Sequence, residues 1–352
     1  MSENIVAETA ARIFTDLADP QTINSAKDDG WKAPLWQALV EAGLTLAWVP
    51  EEQDGSGADL ADGFAVLGVA GRFAVPVPLA ETLLGGWLLS RAGIASPAGI
   101  MTVAPARPGD RITLDSGSTL SGRARGVPFA QEAEHLAVLA HGPGAPSIAL
   151  IEAKACRIAE GRTLAGDASN VVTLDRVKPV RVAPAPTHFD QTSLMLMGAA
   201  VRSVETAGGL EAILELAVRY ANERVAFERP IAKFQAIQHS LARLAGEVAA
   251  AITASGSAAD AIAHAEAFDD ATFLEVAAAK VRSAEAAEEG AAIAHQVHGA
   301  IGFTSEHILH RFTLRLLAWR DDFGNESHWA AALGSRVAAR GAEEFWPLVT
   351  SR

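Results

Sequence analysis

The stretch RYANERVAFERPIAKFQAIQHSL, residues 219–241, decides the reading of this chain. A helical run ends in an arginine-rich turn, Pro230 forbids its continuation, and a new helix opens on Gln235. Arg224, Arg229 and Lys233 bring three cations into ten residues of a chain whose formal net charge is -13. Such a concentration at a break between helices can hold an anion, a phosphate or pyrophosphate above all, because a helix start offers unpaired N–H groups. A solvated basic turn accounts for the same residues, and charge alone leaves both readings open.

Working outward, the 352 residues are 49% hydrophobic and 20% charged, as expected of a soluble globular protein of two or three domains. Three textures follow one another. Residues 1–100 carry apolar positions three and four apart, as in Trp36, Leu39, Val40 and Leu44, and predict an N-terminal helical domain. Residues 101–185 break into short apolar runs between Gly, Pro and Ser, which predict a small antiparallel β domain. Residues 189–352 return to the helical period, with helices over 194–224, 235–255, 271–297, 308–319 and 327–342. They predict a C-terminal four-helix bundle with additions, so the fold class is α+β.

The acidic, amphipathic start MSENIVAETAARIFTDLAD is no signal peptide, and the apolar run at 194–201 stops at Arg202, short of a membrane span. A cytoplasmic protein is expected. The acidic balance argues against nucleic acid as a partner. The single cysteine, Cys156, excludes an intramolecular disulfide and reads as a packing residue. His295 and His298, like His307 and His310, stand three apart on helices, a spacing metal sites use. With no carboxylate within a turn they read as packed or solvated, and no metal is expected.

Two blocks, ERVAFERPIAKFQAIQHSLARLAGEV (223–248) and QVHGAIGFTSEHILHRFTLRLLAW (296–319), together resemble the acyl-CoA dehydrogenase family, and VPEEQDGSG (49–57) and VPLAETLL (77–84) add N-terminal pieces of it. The resemblance implies a β domain between two helical ones, FAD as cofactor, an acyl-CoA substrate and an electron-transfer acceptor protein. It also implies that the arginine turn of one subunit meets the FAD of its neighbour. Carried over position by position, Arg224 grips the pyrophosphate, Phe227 packs beside the flavin or adenine, and Gln235 bonds the adenosine half. Gln296 supplies an amide, Gly299 and Gly302 let the backbone approach, and Asn325 joins the cofactor-binding set.

The family removes an α-proton from the thioester while the β-hydrogen leaves as hydride, so it needs a carboxylate base. The usual base position, directly before a Gly, falls on Phe323, followed by Gly324. The alternative position on the long helix falls at or near Gly198. Asp322 is the nearest substitute, and the backbone N–H of Phe323 could still polarise a thioester. MTVAPARPGDRITL (101–114) replaces the family's flavin-contacting stretch, and Glu228 stands where a Gly is preferred. Short, divergent members from steroid and sterol side-chain degradation form heterotetramers in which one subunit type brings the base. This chain resembles the other type. Two rival expectations are an active homo-oligomer using Asp322 and a flavin-free partner that only shapes its neighbour's pocket.

Overall fold

Apolar stripes in the first hundred residues form five helices: α1 (Ile5–Leu17), α2 (Pro20–Ser25), α3 (Lys32–Glu41), α4 (Leu60–Phe73) and α5 (Leu79–Ser90). The side chains of Asn4 and Asp19 accept the orphan amides of Ala7 and Thr22, at 2.9 Å each, and so start α1 and α2. The computed structural model describes residues 4–265 and 267–350; residues 1–3 and 351–352 of the outer sequence domains lie outside it. α5 is buried throughout from Leu79 to Leu89, Glu81 included, a central helix rather than a surface one.

The middle segment supplies eight strands: β1 (Met101–Ala104), β2 (Arg111–Leu114), β3 (Leu120–Pro128), β4 (His135–Ala140), β5 (Ser147–Glu152), β6 (Arg157–Ala159), β7 (Ser169–Val177) and β8 (Arg181–Pro184). They divide into two four-stranded sheets ordered β1-β4-β5-β8 and β2-β3-β7-β6. The expectation of antiparallel pairing needs one correction: β1 and β4 are parallel, with Met101 opposite His135. Between them the chain visits the other sheet as β2 and β3, and a crossover of that kind brings a strand back in its original direction.

The last segment forms α6 (Gln191–Glu223), α7 (Gln235–His264), α8 (Asp270–His298), α9 (Leu309–Trp319), α10 (Glu326–Arg340) and α11 (Ala342–Thr350). A capping box of Asp190 and Ser193 opens α6, whose 33 residues form the axis of the bundle. α7 runs nine residues past the Ser255 expected from sequence. The pair Ser255–Gly256 reads as a stop, yet the stripe Leu244, Val248, Ala251, Ser255, Ala258, Ile262 stays buried and carries the helix through.

A candidate cofactor-binding end and a closed base position

Tyr220 in the last turn of α6 stacks on His298 in the last turn of α8, ring centroids 4.5 Å apart. Both helices therefore finish at one end of the bundle. The short turn Ile231–Lys233 packs against α6 and α7 and starts α7 there as well. Arg224, Phe227, Gln235, Gln296 and Gly299 thus come together at this end.

Arg224 caps α6 through its backbone: its N–H donates to Tyr220 O and its carbonyl accepts from Ile231 N, each at 2.8 Å. Its exposed guanidinium has no partner among the described residues. Arg229 is occupied, lying 4.4 Å over the Phe234 ring. Between them Ala226 pairs with Arg229 in a two-residue hairpin whose tip, Phe227 (φ 51°) and Glu228 (φ 65°), is left-handed at both positions. Asn and Gly favour such a tip; two ordinary residues there cost about 1–2 kcal/mol each. The strained tip holds Phe227 89% exposed. Gln235 and Gln296 are exposed as well.

Gly299 ends α8 with φ 64°, and an added β-carbon would meet nothing within 4 Å. Gly302 differs: an added β-carbon would sit 3.0 Å from His298 Cβ, so it serves packing. Sequence reading missed the apolar rim of this end, Val225 and Phe303, whose period-free setting gave no signal. His298 is packed at this end against Tyr220 and His307. Burial pushes His298 down to about 4, opposed by its contact with Ala294 O at 2.7 Å, so the ring stays neutral. Among the described residues no three His, Cys, Asp or Glu side chains gather as a metal-ligating group. Burial likewise pushes the Cys156 thiol up to about 11.

The base position lies elsewhere. From Gly198 to Arg224 is 224 − 198 = 26 positions along α6, or about 39 Å at a rise of about 1.5 Å per residue. Phe323 is fully buried, and its ring fills the space that a side chain at Gly198 would take; an added β-carbon would lie 2.3 Å from ring carbons. Its N–H donates to Ala106 O at 3.2 Å and its carbonyl accepts from Trp329 Nε1 at 3.1 Å. The amide expected to remain free for a thioester is therefore engaged.

Asp322 is also engaged. Arg202 Nε donates to its carboxylate at 2.9 Å, while the other guanidinium nitrogens meet Glu205 at 2.6 Å and Glu81. All four side chains are more than nine-tenths buried. To swing in as base, Asp322 would have to give up its pair with Arg202, which would keep Glu205 and Glu81. Burial pushes Glu205 up to about 7 against the pull of Arg202, and raises Glu81 for the same reason. Beside them burial lowers Lys280 to about 7, with Nζ donating to Trp319 O at 2.5 Å. Asn325 accepts from His328 N at 2.9 Å as the cap of α10, two residues from Phe323. It thus stands apart from the Arg224 set with which the sequence reading grouped it. The 105–110 loop is filled by its own side chains: Arg107 covers Gly126, Asp110 holds Arg125 at 2.7 Å, and Gln191 donates to Pro108 O and Asp110 O.

The chain belongs to the acyl-CoA dehydrogenase family. The family model described as acyl-CoA dehydrogenase, C-terminal domain, matches residues 190–325. Acyl-CoA dehydrogenase FadE28 of Mycobacterium tuberculosis is 30% identical over 326 residues, covering 86% of this chain and 92% of that protein. Acyl-CoA dehydrogenase IpdE2 of the same organism is 28% identical over 314 residues, covering 88% and 89%. A solved Tcur3481–Tcur3483 steroid ACAD superposes with a TM-score of 0.82 at 26% identity, covering 95% of this chain and 97% of that one. No helix among the described residues is long and apolar enough to cross a membrane.

Proposed function

We propose that this chain is the base-lacking subunit of a heteromeric, FAD-dependent acyl-CoA dehydrogenase that introduces an α,β double bond into a thioester. The observation that carries the reading is the closed base position: an aromatic ring packed on Gly198, with its amide bonded to Ala106. Neither position expected for the base, 323 or 198, carries a carboxylate, so this chain would offer no side-chain base there.

The chain's own residues fit FAD at one end only. Arg224 would pair with the pyrophosphate, Gln235 and Gln296 would offer amides, and the open Gly299 would admit the ligand to the backbone. When bound, FAD supplies the hydride acceptor. At the other end, Phe323 and Arg107 fill the space. A separation of about 39 Å along α6 puts one dinucleotide beyond the reach of both ends of one chain, which favours Arg224 serving a crevice of the neighbouring subunit. The neighbour would then bring the carboxylate. The likeness to a solved steroid ACAD favours a steroid-derived acyl group.

The test is purification of the chain alone and together with an acyl-CoA dehydrogenase-like partner. Reduction of an artificial electron acceptor by acyl-CoA is expected only for the pair. Turnover by the chain alone would overturn the proposal.

A further inference from the structure

A polar crevice of about 470 Å³ is lined by residues of the α2–α3 loop, the β domain and α9. Its floor is made by Arg311 and Arg315, one turn apart on α9. Arg315 is 6% exposed at its side chain and spends Nη2 on Asp167 at 2.7 Å and Nη1 on Arg311 O at 3.1 Å. Its Nε is buried without a hydrogen-bond partner among the described residues. Arg311 has no carboxylate within ion-pair distance among the described residues. Burial and the adjoining Arg315 lower it to about 10, and Asp167 and Asp29 only partly offset them. Of two neighbouring guanidiniums only Arg315 is ion-paired, in a protein whose overall charge is -13. Lys27, Trp31, Asp29 and Glu132 also line it.

We propose that this crevice is a binding site for a small phosphorylated, hydroxyl-bearing molecule. The phosphoryl oxygens would sit on the Arg311 guanidinium, which has no ion-pair partner among the described residues, with the charge of Arg315 behind it. The volume lies in the range of small-molecule sites and exceeds what a bare oxyanion fills. Glu132 and the loop carboxylates would accept the hydroxyls, which an apolar phosphoester would leave unmet. The site is independent of the flavin reading, since Arg224 takes no part in it.

The experiment is isothermal titration of the full chain with ribose 5-phosphate and with inorganic phosphate. Saturable binding of ribose 5-phosphate is expected, with inorganic phosphate competing more weakly. Arg311→Gln should weaken it about tenfold or more, and Arg311→Lys less so, with the thermal unfolding midpoint of each variant checked for intact folding. Arg224→Ala should leave it unchanged. Absence of saturation with either probe, or equal binding by a folded Arg311→Gln, overturns the proposal. Loss of binding in Arg224→Ala overturns it too, by moving the phosphate to the flavin turn.

Discussion

Replacing Arg224 with alanine separates folding from cofactor retention more cleanly than any other change at the bundle end. The guanidinium is exposed and unpartnered within the described chain, and the helix cap it forms is made by backbone atoms. Truncation should therefore move the stability of this chain by no more than about 0.5 kcal/mol. A charge-assisted hydrogen bond to a phosphate contributes about 1.5–3 kcal/mol, which corresponds to a dissociation constant weaker by roughly tenfold to a hundredfold. The assay is the ratio of flavin absorbance to protein after gel filtration of the assembled complex, beside a thermal unfolding curve. The expected outcome is a depleted ratio with an unshifted curve, and Arg224→Lys should retain an intermediate amount because it keeps charge without the fork. A full complement of flavin in Arg224→Ala would refute the placement of the dinucleotide at this turn. Depletion accompanied by unfolding would refute the claim that Arg224 is free for a ligand.

The closed end yields three further predictions. Gly198→Ala drives a β-carbon to 2.3 Å from the Phe323 ring, so it should cost about 1–3 kcal/mol, and a Gly198→Ala/Phe323→Ala pair should be less damaging than the sum of the single changes. Additive unfolding midpoints would mean the ring does not fill that space. Arg202→Met leaves Glu81, Glu205 and Asp322 buried without their cation and should cost about 3–5 kcal/mol; a loss under about 1 kcal/mol would discount the cluster. The same cluster sets opposite slopes of stability with pH. Glu205, raised from 4.5 to about 7, binds a proton more readily folded than unfolded, so its contribution is complete below about 4.5 and is lost as pH rises through 7. Lys280, lowered from 10.5 to about 7, contributes most above 10.5 and loses that contribution as pH falls through 7. Glu205→Gln should flatten the acidic limb and Lys280→Met the alkaline one in unfolding curves taken across this range. Unchanged limbs would remove either group from the account.

Much of this architecture was legible because it follows from periodicity and punctuation. The helix starts at Gln235 and the stop before Arg224 are written in Pro230 and in the apolar spacing, and the structure places both within a residue. The short apolar runs between Gly, Pro and Ser in 101–185 made strands such as β4 and β5 legible for the same reason. What escaped depends on partners distant in sequence. The parallel pairing of β1 with β4 is set by where β2 and β3 are placed, and no local signal carries that. The length of α7 was hidden because a Ser–Gly pair looks like a stop until Ala258 and Ile262 are seen to be covered.

The candidate site divides along the same line. Phe323 at the base position, and the absence of a carboxylate at Gly198, could be read by counting, but their meeting could not: 125 positions of sequence (323 − 198) separate two residues that fill one volume. Asp322 shows the cost of reading chemistry from residue type alone. In the sequence it is an acid one position from the base; in the fold its carboxylate belongs to Arg202, 120 residues away. Withdrawing that carboxylate from Arg202 would leave a buried cation short of one partner, which burial makes costly. In the proposed base-lacking subunit, two closures reinforce each other. A change at Phe323 alone leaves Arg202, Glu81 and Glu205 filling the interior beside it, so Phe323→Glu is expected to leave the chain without turnover on its own. Acyl-CoA-dependent reduction of an electron acceptor by that single variant would show that the aromatic ring was the sole obstacle.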